Sequence, residues 1–200
     1  MKKFMIFAVM MLSAMTASAQ QEVGTWSVTP KVGINLAKVT DANDASMQVG
    51  LVAGADVNYQ IAEKFAVSAG VFYSMQGAKQ KYREGGISFD EKLKLDYINI
   101  PILAQFYVVP GLALKAGIQP AFNVKHKHKI ESGGDSAETN IDHFKSFDFS
   151  IPLGLSYEFS NFVIDARYNL GLTKIVDVDG SSSKNSVIQF TVGYIIPFNN

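Results

Sequence analysis

Residues 147–172, which read FDFSIPLGLSYEFSNFVIDARYNLGL, contain two runs in which apolar and polar residues alternate. In the first run the apolar residues extend from Phe147 to Phe159, and in the second from Phe162 to Leu172. A period of two predicts strands with one apolar face, because successive side chains of a strand lie on opposite sides. The Ser-Asn pair between the runs predicts a tight turn, so the segment as a whole predicts a β-hairpin.

Six further stretches alternate in the same way, and no charged residue falls on the apolar row of any predicted strand. Strands of about ten residues with a charge-free row are typical of a barrel whose outer surface contacts lipid. The sequence therefore predicts an all-β fold, an eight-stranded antiparallel transmembrane β-barrel with up-and-down topology. The predicted strands are 26–36, 48–59, 65–76, 93–106, 112–124, 147–159, 162–172 and 188–198.

Two features of these strands depart from a regular barrel. In 93–106 the apolar row runs through Leu95 and Tyr97 and then continues from Ile98 on the other face, which predicts a β-bulge. Five prolines also fall inside predicted strands, where a closed barrel has no edge to accommodate a missing N–H donor. These are Pro30, Pro101, Pro120, Pro152 and Pro197.

The N-terminal segment is predicted to be an export signal. A basic start and an apolar stretch, 4–12, precede a small-residue cleavage site at 17–19. The predicted organisation is a signal peptide, 1–19, followed by one barrel domain, 20–200. Without the signal the chain has 16 basic and 18 acidic residues, a net charge of −2, which does not indicate nucleic-acid binding. The chain contains no cysteine, and no cofactor is expected.

Long and short connections alternate along the chain. The short ones are 60–64, 108–111 and 159–161, and the long ones are 38–47, 79–91, 127–145 and 174–185. Short turns are typical of the periplasmic end of such barrels, so both termini are predicted to be periplasmic and the long loops extracellular. Loops 79–91 and 127–145 are the expected sites for an extracellular ligand.

A secreted, water-soluble barrel of the lipocalin type would alternate too, with its apolar row turned inward. Its polar row would then face water and should be rich in Lys and Glu. Here most charged residues lie in the long connections, and the polar rows carry mainly Gly, Ser, Asn and Gln. Aromatic residues gather near strand ends, as at membrane interfaces. The sequence thus favours a barrel surrounded by membrane lipid.

The charged residues inside the strands are expected to lie in the barrel interior. An eight-stranded barrel is just wide enough for side chains to fill it, and charges held there must be paired. We expect a salt-bridge network that plugs the lumen, with Arg167 at its centre because a guanidinium suits carboxylates. A path for ions or solutes is the alternative. The predicted network comprises Lys31, Asp56, Lys115, Asp148, Glu158, Asp165 and Arg167, and Lys94 and Asp96 are also assigned to the inner face.

Neither a metal site nor a catalytic site is expected. His126 and His128 would share a strand face, but the lysines that alternate with them oppose a bound cation. No spacing in loop 127–145 places a nucleophile beside its base. The candidates that this loop offers are Ser132, Asp135, Asp142 and His143.

Segments 66–77, 93–103 and 165–172 resemble the PorT-type outer-membrane β-barrel family, also described as the porin family or outer membrane protein β-barrel domain. The resemblance implies an eight-stranded barrel, similar in size to OmpX, that is inserted into the cell outer membrane by the barrel assembly machinery. It supplies no functional residues. One departure is that Asn199 and Asn200 follow Phe198, whereas such barrels usually end on an aromatic residue.

The expected function is a non-enzymatic one. A monomeric barrel with a plugged lumen would display its extracellular loops for surface interaction or envelope integrity. The alternative is a barrel for small-solute transport or an accessory to secretion, and an outer-membrane enzyme is the weaker alternative.

Overall fold

The computed structural model describes residues 21–40, 46–84, 87–132, 135–140, 146–174 and 183–198, and the regular elements in these ranges are β-strands. Strands that neighbour one another in the sheet pair antiparallel. The strands are β1 (Trp26–Val39), β2 (Ser46–Ala62), β3 (Phe65–Glu84), β4 (Ile87–Asn99), β5 (Ile102–Val109), β6 (Leu112–Ser132), β7 (Asp135–Asn140), β8 (Phe147–Phe159), β9 (Phe162–Gly171), β10 (Asn185–Tyr194) and β11 (Ile196–Phe198).

The sheet closes on itself through β1, which pairs with β2 on one side and with β10 and β11 on the other. The eleven described strands fill eight positions around the barrel, because three positions hold two successive strands. β4 and β5 both lie between β3 and β6, β7 and β8 both pair with β6, and β10 and β11 both pair with β1. The prediction of a closed, eight-stranded antiparallel barrel is confirmed.

The outer surface is apolar and the interior is polar. On β9, for example, Ile164 and Leu170 are exposed, whereas Asp165, Arg167 and Asn169 are buried. A barrel of the lipocalin type has the reverse arrangement. Exposed aliphatic rows suit a hydrocarbon environment, and a closed ladder leaves no strand edge unpaired within it.

Aromatic rings gather on the outer surface at one end of the barrel, which we call the short-turn end. This end carries the turns that follow β2, β5 and β8, and it also carries the start of β1 and the end of β11. The ring centroids of Trp26 and Tyr59 lie 4.6 Å apart, and those of Phe162 and Tyr194 lie 5.2 Å apart. Such rings are typical of a membrane interface. We call the opposite end the loop end, and the apolar outer surface between the two ends the belt.

Three of the prolines lie at breaks in the ladders of neighbouring strands. Pro101 falls in the gap between β4 and β5, and Pro120 lies opposite that gap on β6. The backbone N–H of Ile100 donates to the carbonyl of Pro120 across it, at 2.9 Å. Pro152 occupies an interruption in the pairing of β6 with β8, between Leu153 and Ser150. No regular ladder bond is expected from a proline at these places.

The other two prolines flank the change from β10 to β11. Pro30 lies between the part of β1 that pairs with β11 and the part that pairs with β10, and Pro197 is in the short β11 itself. At this break the N–H of Ile195 donates to the carbonyl of Asn161 at 2.6 Å. All five prolines therefore occur at strand breaks or ends, as proline's missing donor requires.

The prediction that 79–91 and 127–145 are loops is wrong, because the described parts of both ranges are largely strand. β3 continues to Glu84 and pairs with β4 from Ile87 onward, while β6 continues to Ser132 and pairs with β7. Beyond the belt neither face of a strand needs to be apolar, so the ladder continues where the alternation of hydrophobicity stops. We call residues 76–84, 87–96, 125–132 and 135–140 the extension. The predicted signal peptide lies outside the described residues and stays a prediction.

The prediction of a β-bulge within strand 93–106 is also wrong. Alternation through β4 and β5 keeps one phase, since Tyr97, Asn99, Leu103 and Gln105 are all buried. Apolar residues such as Tyr97 fill the barrel interior instead of contacting lipid. The register shift lies on the partner strand, where Tyr97 pairs with Asn123 but Asp96 pairs with Lys125.

Candidate functional site

The centre of the barrel contains a cluster of buried ion pairs. Lys115 Nζ lies 2.9 Å from Asp165 Oδ2, and Lys31 Nζ lies 3.7 Å from the same atom. Lys31 Nζ is also 2.6 Å from Asp56 Oδ2. Arg167 Nη2 lies 3.3 Å from Asp165 Oδ1. Asp165 thus contacts three cations. The centre of the network is therefore this carboxylate, whereas the sequence predicted Arg167 at the centre.

Two of these lysines come from opposite walls of the barrel. Lys31 is on β1 and Lys115 is on β6, which are four positions apart in a barrel of eight. Gly193 on β10 leaves room for Lys31 to reach inward, because a Cβ at this glycine would lie 2.6 Å from Lys31 Cγ. The cluster therefore extends across the barrel from wall to wall.

A second polar cluster lies toward the loop end. Asn185 Nδ2 donates to Asp148 Oδ2 at 2.7 Å and to the hydroxyl of Tyr97 at 3.2 Å. Thr173 also donates to Asp148. These residues join β4, β8 and β10 across the interior. Sequence reasoning found Asp148 but missed Tyr97, whose inward position follows once the alternation of 93–106 is continued without a bulge.

Toward the short-turn end, Tyr107 donates its hydroxyl to Glu158 Oε1 at 2.9 Å. Beside this pair is a cavity of about 20 Å³, which has room for roughly one water molecule. Lys31 and Lys115 line it from within, and Thr25 lines it from the N-terminal segment. That segment is held at the barrel mouth, since the N–H of Gly24 donates to the carbonyl of Gln60 at 2.8 Å.

Several buried polar atoms of the described interior have no protein partner. They include Nε and Nη1 of Arg167, Oε2 of Glu158 and both side-chain polar atoms of Asn169. Buried groups of this kind are ordinarily satisfied, and water is the usual partner where protein is not. The interior therefore contains polar atoms whose expected hydrogen-bond partner is water.

Asp96 is not in the interior, contrary to the sequence-based assignment. It lies in the outward row of β4, in register with Met75, but its side chain is only 3 % exposed, and it accepts a hydrogen bond from the Tyr73 hydroxyl at 2.7 Å. Lys125 Nζ, whose side chain is 46 % exposed, lies 3.7 Å from Asp96 Oδ2. Lys94 is placed by register opposite Gly77 and Lys127, and its side chain is not among those described.

The histidine and loop candidates form no site in the described part of the chain. His126 and His128 pair with Leu95 and Leu93 in the ladder, and Ser132 pairs with Asp135 next to the hairpin turn. Among the described residues no group of three or more His, Cys, Asp or Glu could hold a metal ion. Asp142 and His143 lie outside the described residues.

The described ranges also include no helix that is long and apolar enough to cross a membrane.

An apolar belt around an interior of paired charges defines a β-barrel that spans a membrane. The outer membrane protein beta-barrel domain family matches residues 18–177. The chain belongs to this family, and it is an integral β-barrel protein of the outer membrane, surrounded there by lipid. No curated protein sequence matches the chain.

Several solved structures are similar to the barrel. The attachment invasion locus protein Ail of Yersinia pestis, in complex with the heparin analogue sucrose octasulfate, is 17 % identical, with 88 % of this chain and 100 % of that chain covered and a TM-score of 0.49. Neisserial surface protein A is 17 % identical over 86 % and 97 % of the two chains, with a TM-score of 0.48. OprG from Pseudomonas aeruginosa is 12 % identical over 92 % and 100 %, with a TM-score of 0.47.

Proposed function

We propose that this protein is a monomeric, non-enzymatic outer-membrane barrel with a closed interior, and that it displays its loop end outside the cell for surface interaction or envelope integrity. The observation that carries the proposal is the wall-to-wall ion cluster. Lys31 and Lys115 reach Asp165 from opposite sides, so ion-paired side chains cross the lumen at this level.

Energetics favour a plug over a path. Breaking a buried ion pair by removing one partner typically costs about 3–5 kcal/mol, because the other charge stays buried without compensation. A solute passing through the barrel would have to separate Lys31, Lys115 and Asp165 and would incur costs of this order. The cavity of about 20 Å³ beside Glu158 is too small for a metabolite. The side chains therefore act as a fixed filling of the barrel.

The orientation of the barrel is part of the proposal. Both described ends of the chain lie at the short-turn end, which we place in the periplasm, and the extension then projects outside the cell. Export by the signal peptide 1–19, insertion by the barrel assembly machinery and the PorT-type assignment belong to the same proposal. Short turns offer a periplasmic partner little surface, which weighs against an accessory role in secretion.

Single-channel recording tests the closed interior. We expect the mature protein to show no conductance steps in a planar bilayer. A variant with Lys31→Ser, Lys115→Ser and Asp165→Ser removes the cluster and should show small steps. Heat-modifiable migration on a detergent gel checks that both proteins are folded. Stable porin-like steps from the unaltered protein would instead favour solute transport and overturn the proposal.

Cysteine labelling of intact cells tests which end of the barrel faces outside the cell. The natural chain has no cysteine, so one introduced thiol reports on one place. A membrane-impermeant maleimide should label Ser88→Cys in the extension and should not label Glu63→Cys in the turn after β2. The opposite labelling would show that the loop end faces the periplasm.

A further inference from the structure

The residues before β1 form a turn at the short-turn end of the barrel. The backbone N–H of Thr25 donates to the carbonyl of Glu22 at 3.1 Å, and Gly24, the third residue of this turn, has a φ of 89°. A four-residue turn with a positive φ at its third position is characteristic of type II, which favours glycine there. The sequence before β1 therefore encodes its own change of direction. We call residues 21–25 the strap.

The same glycine attaches the strap to the end of β2. The N–H of Gly24 donates to the carbonyl of Gln60 at 2.8 Å, and the N–H of Gln60 donates to the carbonyl of Thr25 at 3.1 Å. Two residues of the strap thus oppose one residue of β2, which is a β-bulge with glycine in the left-handed conformation. The regular β1·β2 ladder starts at the next pair, Trp26↔Tyr59. The bulge therefore marks the boundary between the strap and the barrel wall.

The strap lines two cavities at the barrel mouth. The inner one is the cavity of about 20 Å³ beside Glu158, and Gln21 and Thr25 line it from the strap. The outer one has a volume of about 600 Å³, and the strap lines it together with the turn after β2 and the end of β5. Gln21 and Tyr107 line both cavities. The strap is therefore part of the partition between the outer cavity and the inner one.

The inner cavity contains polar groups that are shielded from solvent. Ser27, Tyr107 and Glu158 line it, and all three are buried. Within the described interior, Oε2 of Glu158 has no hydrogen-bond partner. A buried acceptor without a partner is unfavourable, and contact with water relieves this cost. A displacement of the strap would join the two cavities and bring water to this oxygen.

The strap is attached to the barrel more weakly than any strand. Among the described residues, the two bonds to Gln60 are the backbone hydrogen bonds that tie it to the barrel. Its one large apolar side chain, Val23, is exposed and so contributes little burial. Chain ends with few buried contacts open locally at low cost in free energy, whereas a strand of a closed ladder opens only with its neighbours. The strap can therefore open while the barrel stays folded.

We propose that the strap is a movable lid that closes the short-turn end of the lumen, and that its opening admits water and small solutes to Glu158. The positive φ of Gly24 sets the closed position. Lys31 and Lys115 stay paired with Asp165 when the strap opens, so the lumen remains plugged farther in. The inference rests on the proposed function only in naming the compartment at this end, the periplasm.

The reaction rate of a buried thiol measures how often the strap opens. Ser27→Cys places a thiol in the inner cavity that Glu158 also lines, in a mature protein that has no natural cysteine. The thiolate attacks the sulfenyl sulfur of methyl methanethiosulfonate, forms a mixed disulfide and releases methanesulfinate. Where opening and closing are fast, such a rate follows the open fraction.

A chain that lacks residues 20–24 provides the rate for the open state. With the strap present, Ser27→Cys should react roughly 10- to 100-fold more slowly than in that shortened chain, as expected for two hydrogen bonds that hold the strap closed. Both proteins are folded in detergent micelles, and heat-modifiable migration confirms their folding. If Ser27→Cys does not fold, Thr29→Cys, which lines the same cavity, replaces it.

Two substitutions at Gly24 form a matched pair. A Cβ at this position would meet no atom within 4 Å, so a substitution acts through the backbone conformation and not through a clash. Gly24→Val disfavours the positive φ and should speed the reaction of Ser27→Cys about tenfold. Gly24→Asn tolerates the left-handed conformation and should change the rate by less than about threefold.

A thiol toward the loop end shows whether the opening is local. Ser150→Cys is buried there, and its rate should be the same with Gly24 and with Gly24→Val. Equal acceleration of Ser27→Cys and Ser150→Cys would mean that the whole barrel loosens and would overturn the proposal. Equal rates of Ser27→Cys with the strap, without it and with Gly24→Val would overturn it as well, because the strap would then close nothing. These rates depend neither on conductance nor on orientation in the cell, so failure here is distinct from failure of the proposed function.

Discussion

The belt and the extension share strands and register but distribute charge in opposite ways. In the belt, lysines such as Lys31 and Lys115 are buried inside the barrel and aliphatic residues face outward. At the start of the extension Lys125 is 46 % exposed on the outer side, and Leu95 is buried on the inner side. The change takes place within one rung, at Asp96 and Lys125.

This contrast shows that the surroundings, and not the period of two, decide which row faces outward. Hydrocarbon excludes unpaired charge, so the belt keeps its ionised groups inside, where each needs a partner. Water and headgroups solvate charge, so Lys125 can lie on the outer side where the extension begins. Equal chemical changes should therefore have unequal effects in the two regions.

The removal of one aspartate from each region should give the largest difference in unfolding free energy between the belt and the extension. Asp165→Ala leaves Lys31, Lys115 and Arg167 buried around a missing carboxylate and should cost about 3–5 kcal/mol of unfolding free energy. Asp96→Ala removes a carboxylate that is only 3 % exposed, but it leaves Lys125, whose side chain is 46 % exposed, in contact with water, so it should cost less, about 1–2 kcal/mol. Guanidinium unfolding in lipid vesicles, followed by the fluorescence of the single tryptophan, Trp26, measures both. Equal losses would mean that the interior network contributes no more than a surface pair.

A lysine introduced on the outer face should locate the boundary of the belt on β3. Val71 is 56 % exposed in the belt, so Val71→Lys should cost about 2–4 kcal/mol, the usual penalty near the bilayer midplane. Met75 is opposite Asp96, so Met75→Lys should cost only about 0–1 kcal/mol. The same unfolding assay compares them. If Met75→Lys were as costly as Val71→Lys, the hydrocarbon would extend past the level of Asp96 and Lys125.

The sequence predicted the belt well because lipid imposes a simple rule there. The strands 147–159 and 162–172 were placed to within one residue, since every outward residue in them is apolar. Segment 93–106 was misread for the opposite reason. Leu95 and Tyr97 are apolar yet fill the interior, and Asp96 is charged yet faces outward, so hydrophobicity alone suggested a bulge that β4 does not contain.

Two further features could not be read from the alternation. Parts of the extension, such as 79–84 and 125–129, are almost entirely polar or charged, so their hydrophobicity does not distinguish a paired strand from a loop. The central role of Asp165 depends on which side chains meet across the barrel, and β1, β6 and β9 are not neighbours in the sheet. Such contacts follow from the stagger and tilt of the closed barrel, which local sequence does not encode.

The smallest expected difference between the two regions is between two tyrosine hydroxyls, each of which donates a hydrogen bond to a carboxylate. Tyr107→Phe removes the hydrogen bond to Glu158, whose other oxygen already has no partner, and should cost about 1.5–3 kcal/mol. Tyr73→Phe removes the bond to Asp96, which keeps Lys125 nearby, and should cost about 0.5–1 kcal/mol. Guanidinium unfolding gives the ratio of the two losses. A Tyr73→Phe loss as large as that of Tyr107→Phe would mean that Asp96, whose side chain is 3 % exposed, is as dry as the barrel interior, and would move the membrane boundary past the level of Asp96 and Lys125.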